Sequence, residues 1–215
     1  MHMAGLAGIE VPLNGLVSSA DGSHSYFIRR FDRKGNSGRV AVEDFAQLSG
    51  LDRSSKYDSS MERLADILDR YCTFPVVEKV KLFERTLFSF LVGNEDMHLK
   101  NISLIRREGR VELSPLYDCL NTTIEFEAIG KKRSQIEETA LPLHGRKRNL
   151  TRSDLVDYYG RERLGLGVRV VDACLRRMSA MVPGWIEAIG NSFLDDAMKG
   201  LYRDLLLERC SLLGL

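Results

Sequence analysis

Four cysteines, Cys72, Cys119, Cys174 and Cys210, are scattered over 215 residues, and no two form a CxxC pair. That spacing supplies neither a disulfide framework nor a zinc site, and it suits reduced cytosolic thiols. Long apolar runs are missing as well. Stretches such as Leu87 to Val92 fall far short of the ~20 residues that span a bilayer. No charge of one sign dominates: 31 Lys and Arg face 30 Asp and Glu, a formal net charge of +1. This balance gives no electrostatic case for a membrane surface or for direct nucleic-acid binding. The opening Met-His-Met-Ala-Gly-Leu-Ala-Gly lacks a basic region leading into an apolar stretch, so no signal peptide is expected. Internal repeats and low-complexity tracts are absent too. These absences together point to a cytoplasmic protein.

What is present is an ordinary globular composition, with 44% hydrophobic and 28% charged residues. A chain of this length buries a full core without disulfide or metal staples. The first residues read as the tail of a helix closed by Gly8, with Pro12 beyond it. Leu13 to Val17 and Ser25 to Phe31, separated by a Ser-Ala-Asp-Gly-Ser turn, read as a β-hairpin. Lys34 to Gly38 reads as a loop and Val42 to Gly50 as a short helix. Met61, Leu64, Ala65, Ile67 and Leu68 share a helical face. Pro75 opens a second helix, with Val76, Val80, Phe83, Leu87 and Phe90 three or four apart. Ile102 to Ile105 and Val111 to Leu113 flank the turn Arg107-Glu-Gly-Arg110 as another hairpin. From Asn149 onward the pattern is helical. Thr151-Arg-Ser-Asp154 is a variant capping box, and Trp185, Ile186, Ile189 and Phe193 form an apolar stripe read as core. The fold class expected is α+β: a small β-containing front, residues 1–55, and a mostly helical body, residues 56–215.

The segment that carries chemistry is Gly93 to Asp118. An apolar helix runs straight into a loop holding Asn94, Glu95, Asp96, His98, Lys100 and Asn101. So many polar groups beside a core are costly unless they bond one another or a ligand. Asp96 and Asn101 lie five apart, and Asp118 follows the hairpin, so it can return to the same mouth. Two oxygen ligands from opposite sides of a hairpin suit Mg²⁺, which completes its shell with water and phosphate oxygens. The D-x-x-x-x-N spacing is also that of the protein-kinase catalytic loop, where the Asp takes the substrate hydroxyl proton.

Gly93-Asn-Glu-Asp-Met-His-Leu-Lys-Asn-Ile-Ser-Leu-Ile105 resembles the catalytic loop of the HipA-like serine/threonine kinases, toxins of bacterial toxin–antitoxin pairs. Ser114-Pro-Leu-Tyr-Asp118 is similar to their metal-binding segment. Gly8-Ile-Glu-Val-Pro12, Ile28-Arg-Arg-Phe-Asp-Arg33, Glu43-Asp-Phe-Ala-Gln47 and Lys56-Tyr57 match as well. Leu141-Pro-Leu-His-Gly-Arg-Lys-Arg-Asn-Leu-Thr151 resembles the short HipT branch, whose N-terminal subdomain is a separate protein. The resemblance implies a protein-kinase-like fold and use of ATP and Mg²⁺. It implies Asp96 as general base, with Asn101 and Asp118 holding the metal, Lys100 beside the transferring phosphoryl group and His98 orienting the loop. It further implies that the backbone from Arg29 through Arg30 to Phe31 contacts adenine and that Asp32 reaches the ribose. The implied partners are an aminoacyl-tRNA synthetase as substrate and a DNA-binding antitoxin, or a separate N-terminal subdomain protein.

The family also carries a Gly-rich phosphate loop, a strand Lys and a helix Glu ahead of this region. None precedes Ile28, so a fragment or split chain is expected. Plainer readings stand beside these. Asp96 alone could be an ordinary loop residue, Lys100 a solvated side chain, and Asp32 a surface ion-pair partner. Cys119 reads as a small core residue, and Arg146-Lys-Arg148 as a solvated loop or a grip on an acidic protein or tRNA-bound substrate. Two other functional classes remain open: a small-molecule phosphotransferase of the aminoglycoside or choline type, and a non-catalytic, pseudokinase-like module that docks an antitoxin.

Overall fold

The computed structural model describes residues 1–35 and 38–215. A short helix α1 (His2–Leu6) ends at Gly8, whose φ of 73° supplies the left-handed turn. β1 (Asn14–Ser18) and β2 (His24–Ile28) then form an antiparallel hairpin with Leu16 opposite Tyr26. Leu16, Tyr26, Phe27 and Ile28 are all exposed. β3 (Arg33–Lys34) and β4 (Gly38–Arg39) make a second, minimal pair.

The helix expected over residues 42–50 is instead a strand followed by a single helical turn. β5 (Val42–Asp44) pairs with β6 (Ser103–Arg107), and α2 covers only Phe45–Leu48. Asp44 sets the boundary. Its carboxylate accepts from Gln47 N at 2.9 Å while the Gln47 side chain accepts from Asp44 N at 2.9 Å. This reciprocal capping box leaves Val42 and Glu43 outside the helix and free to pair across the sheet. β6 continues into β7 (Arg110–Leu113), and the turn residues Glu108 and Gly109 both have positive φ, as a tight two-residue hairpin requires.

The helical body is built on α4 (Pro75–Val92). Pro75 stands at its first turn, and its second half is buried almost without interruption. α3 (Met61–Tyr71) lays Met61, Leu64, Ala65, Ile67 and Leu68 into the same core. Two charged side chains buried on α4 hold the last residue of β7 and the residue after it. Glu78 Oε2 accepts from Leu113 N at 2.8 Å, and an Arg85 amino group donates to Ser114 O at 2.6 Å. Burial pulls the Arg85 guanidinium down to about 10. These bonds satisfy backbone groups that would otherwise be orphaned, and they fix where the chain re-emerges at Asp118.

α5 (Thr122–Ala128), α6 (Val168–Gly190) and α7 (Asp196–Leu213) complete the body. Trp185 is fully buried, meets Phe88 edge-on at 5.7 Å and donates to Met3 O at 2.8 Å, which joins α6 to α1. The stripe read as core stops short of Phe193. α6 ends at Gly190, so Phe193 leaves the helical face, lies 67% exposed and rests on His24 with ring centroids 4.2 Å apart.

Ser153–Arg163 forms a π-helix, and at its start Thr151 and Asp154 bond reciprocally as the sequence implies, Asp154 N donating to Thr151 Oγ1 at 3.2 Å. Asp154 accepts from Thr151 N at 2.8 Å and from Thr151 Oγ1 at 2.6 Å. It also meets an Arg146 amino group at 2.5 Å and His144 Nδ1 at 3.1 Å. Burial alone would raise this carboxyl, but the Thr151, His144 and Arg146 contacts outweigh it and hold Asp154 at about 2. Against an ordinary 3.8, this is stability present above pH 4 and lost as pH falls through the folded value. It amounts to about 2 kcal/mol. Asp154→Asn is expected to lower the unfolding free energy at pH 7 by a similar amount and to flatten its decline between about pH 4 and 2. Denaturant titrations of both proteins across that range check this, and parallel curves would contradict it.

Candidate active site

Gly93 ends α4 in the left-handed region, φ 77°. Its carbonyl accepts from Thr122 N and Thr123 N, at 3.1 and 3.2 Å, so the end of α4 is docked on the start of α5. The chain then turns through buried Asn94, whose amide approaches Ser89 Oγ and Cys119 Sγ, each at 3.4 Å. Cys119 is a buried thiol, as the plainer reading had it.

Asp96 follows, its main-chain oxygen held twice, by His98 N at 2.8 Å and by Asn101 Nδ2 at 2.9 Å. The Asp96 carboxylate is 41% exposed. Its Oδ1 accepts from the Tyr57 hydroxyl at 2.8 Å, and its Oδ2 lies 3.9 Å from His98 Nε2. Burial pushes the neighbouring Glu95 carboxyl up, with Asp96 and Glu137 adding to the effect.

His98 is buried and caps the short 3-10 turn Leu99–Asn101, with Nδ1 at 3.2 Å from Lys100 N. Its Nε2 lies 2.8 Å from Lys56 Nζ. A neutral imidazole has one ring lone pair and so accepts from one of these two nitrogens, whereas a doubly protonated ring could accept from neither. Burial lowers the His98 pKa, and the Lys56 charge adds to that while Asp96 opposes it. His98 therefore serves the loop as a neutral hydrogen-bonding strut.

Lys100 pairs with an acid outside the loop. Its ammonium meets Asp44 Oδ2 at 2.6 Å and so ties the loop to the end of β5. Its carbonyl accepts from the Tyr117 hydroxyl at 2.7 Å, and that hydroxyl also lies 2.5 Å from Ser103 Oγ. Tyr117 is thereby fixed, and the Phe31 ring stands 5.5 Å from it. Asp118 comes next, exposed and at a positive φ of 51°. A non-glycine residue rarely holds that conformation without a reason. Among the described residues no hydrogen bond or ion pair engages its carboxylate.

Between the β1–β2 hairpin and Tyr117–Leu120 lies a cleft of about 860 Å³. Leu16, Tyr26 and Ile28 supply apolar wall, and Asp118 faces it. This size suits a small-molecule or cofactor site. None of the residues expected at adenine and ribose, Arg29, Arg30, Phe31 and Asp32, lines this cleft; Ile28, just ahead of them, does, and Phe31 packs on Tyr117. Arg29 N bonds Leu13 O at 2.8 Å as the hairpin's continuation. Asp32 is occupied by arginines: Arg30 at 2.9 and 2.6 Å, and Arg33 at 2.6 Å. The Arg30 hydrogen bond holds its carboxyl below the usual range.

The donor chemistry of Asn101 and Asp118 fits Mg²⁺. Asn101 donates its amide N–H to Asp96 O, so its carbonyl oxygen is the atom that would be available to a metal. Asp118 offers an unshared carboxylate, and hard oxygens in small number are what Mg²⁺ takes from a protein. Three residues in this architecture had no role in the sequence reading. Tyr57 and Lys56 reach the loop from the segment before α3, and Asp44 reaches it from β5. All three stood in stretches matched to the kinase family, Asp44 in Glu43-Asp-Phe-Ala-Gln47 and the other two as Lys56-Tyr57, and that match was the signal that could have drawn attention to them.

The HipA-like C-terminal domain matches residues 1–186. The chain belongs to that family. Two proteins of Sinorhizobium fredii that carry a kinase name are similar to it. Y4dM is 37% identical over 134 residues, covering 57% of this chain and 32% of its own length. Y4mE is 26% identical across the whole chain and 52% of its own length. The chain thus spans about half, or less, of the length of these curated relatives. Among solved structures, the Shewanella oneidensis HipA–HipB–operator DNA complex contains a chain that superimposes with a TM-score of 0.80 at 22% identity, over 100% of this chain and 55% of that one. The architecture is therefore the kinase-like one: a small β region followed by a helical body. No helix among the described residues is long and apolar enough to cross a membrane.

Proposed function

We propose that this chain carries the catalytic core of an ATP- and Mg²⁺-dependent serine/threonine protein kinase of the HipA type. The observation that carries this reading is the Asp96–Asn101 loop. Its carboxylate is open to solvent, and its own asparagine holds the backbone behind it. Asp118, at a positive φ, lines the cleft beside the β1–β2 hairpin.

In this reading Asp96 accepts the proton of the acceptor hydroxyl as the γ-phosphoryl group moves to it. Asn101 and Asp118 would hold Mg²⁺, which when bound offsets phosphate charge. The apolar wall of the cleft takes the base. Lys100 keeps the loop in register through Asp44, while His98 and Lys56 brace it from below. The finer assignments rest on the family likeness: the HipT branch, a cytoplasmic setting, an aminoacyl-tRNA synthetase as substrate, and a DNA-binding antitoxin as partner. The Shewanella complex, in which HipA is found with HipB, supports the last.

Calorimetry of ADP binding with and without Mg²⁺ tests the site. Asp118→Ala is expected to weaken binding at least tenfold with Mg²⁺ and little without it, because a metal ligand matters only when metal is present. An equal loss in both conditions would overturn the metal-ligand assignment.

A further inference from the structure

We infer that Tyr57 is a positioning residue for phosphoryl transfer, pinning one oxygen of Asp96 so that the other faces the acceptor hydroxyl. This inference rests on the reading of Asp96 as the base. Tyr57 lies 39 residues before Asp96, between α2 and α3, yet its hydroxyl donates to Asp96 Oδ1 at 2.8 Å. A carboxylate turns easily about its last torsion, where the rotamer wells are broad. One fixed donor on Oδ1 selects an orientation. Among the described residues no hydrogen bond engages the other oxygen, Oδ2, and His98 Nε2 stands 3.9 Å from it, beyond hydrogen-bond distance. It is left free to take a proton.

The phenol is itself firmly mounted. Its ring meets His98 edge-on at 5.2 Å and 84°. Lys56 Nζ stands 4.8 Å from the ring centroid, and Lys147 Nζ stands 5.6 Å from it. The adjoining Lys56 carbonyl accepts from Leu99 N at 3.3 Å, so the tyrosine's own backbone is tied to the loop it supports. Cations over an aromatic face add to this hold. Lys147 belongs to the basic Arg146–Arg148 run, and the contact gives that residue a place beside the site. Burial, together with the Asp96 bond, pushes the Tyr57 hydroxyl up to about 12, so it stays a donor near neutral pH. A ring gripped in this way is a fixture of the site, unlike a plug that must swing clear for each substrate.

The test is Tyr57→Phe in the protein expressed in full, with transfer kinetics and thermal melting measured side by side. The substitution removes one oxygen from a side chain that is 40% exposed, so the fold should be kept. The expected result is a kcat lower by roughly ten-fold, as for loss of one hydrogen bond to a charged group, with KM for ATP and the melting temperature unchanged. An unchanged kcat overturns the inference. A raised kcat overturns it too, because it would mean that the phenol occupies the acceptor's seat. Asp96→Asn separates this from the underlying reading. If that variant transfers phosphate at the wild-type rate, the base assignment itself has failed. If it is inactive while Tyr57→Phe matches wild type, only the role of Tyr57 is lost.

Discussion

Asp96→Asn should reduce phosphoryl transfer by about a hundred- to ten-thousand-fold, the range typical for loss of a positioned general base. The substitution keeps the shape of the side chain and removes its capacity to take a proton. The loop should survive, because its scaffold bonds do not use the carboxylate. His98 N and Asn101 Nδ2 both hold the Asp96 main-chain oxygen. The amide oxygen of an asparagine can still accept from Tyr57. The side chain is substantially exposed, so no buried charge is left without a partner. Melting temperature and nucleotide affinity should therefore match wild type while kcat collapses. A variant that retains wild-type turnover would remove Asp96 from the chemistry. A variant that unfolds would show that its role is structural.

Gly93→Ala should be the most damaging conservative change to the fold around the site. A left-handed φ of 77° is strained for any residue with a Cβ. The added atom would also stand 2.7 Å from Leu205 Cδ2 and in collision with Asn121 Oδ1. Asn121 caps α5 through a 3.1 Å bond to Ile124 N, so relief of the clash disturbs the α4–α5 junction. Backbone strain and overpacking together should cost about 3 kcal/mol or more. For a chain of this size that corresponds to a melting temperature lower by roughly 6–12 °C. Because Asn94 to Asn101 hang from this junction, activity should fall below what the lost stability alone explains. Scanning calorimetry checks the first effect, and transfer rates measured well below the transition check the second. A melting temperature within a degree of wild type would show that the junction tolerates the extra atom.

The loop that forms the candidate site was legible in the sequence because its signal is local. An apolar helix with Pro75 at its start runs into six polar residues closed by Asn101, and a short hairpin with Glu108-Gly109 returns the chain to Asp118. Each of these elements is decided by neighbours a few residues apart. The parts that escaped depend on partners far along the chain. Lys100 reads as a free cation beside the phosphate until Asp44, 56 residues away, is found holding it. Tyr57 stands in a matched dipeptide, but nothing local shows its partner, the Asp96 oxygen 39 residues on. β5 reads as helix in the sequence because three residues give no period, and the strand exists only because β6 is there to pair with it. Phe193 looked like core from its spacing, but the helix stops three residues earlier. The reciprocal Thr151–Asp154 cap, by contrast, was readable, because both halves lie within one turn.

The measurement that bears most directly on the account is transfer of the terminal phosphate of labelled ATP, with Mg²⁺ present and with it chelated, followed by acid hydrolysis of the labelled protein products. The account predicts Mg²⁺-dependent label on serine or threonine of a protein acceptor. Label on an aminoglycoside or choline-like small molecule in place of protein, or no transfer at all from a preparation that binds Mg²⁺-nucleotide, would contradict it.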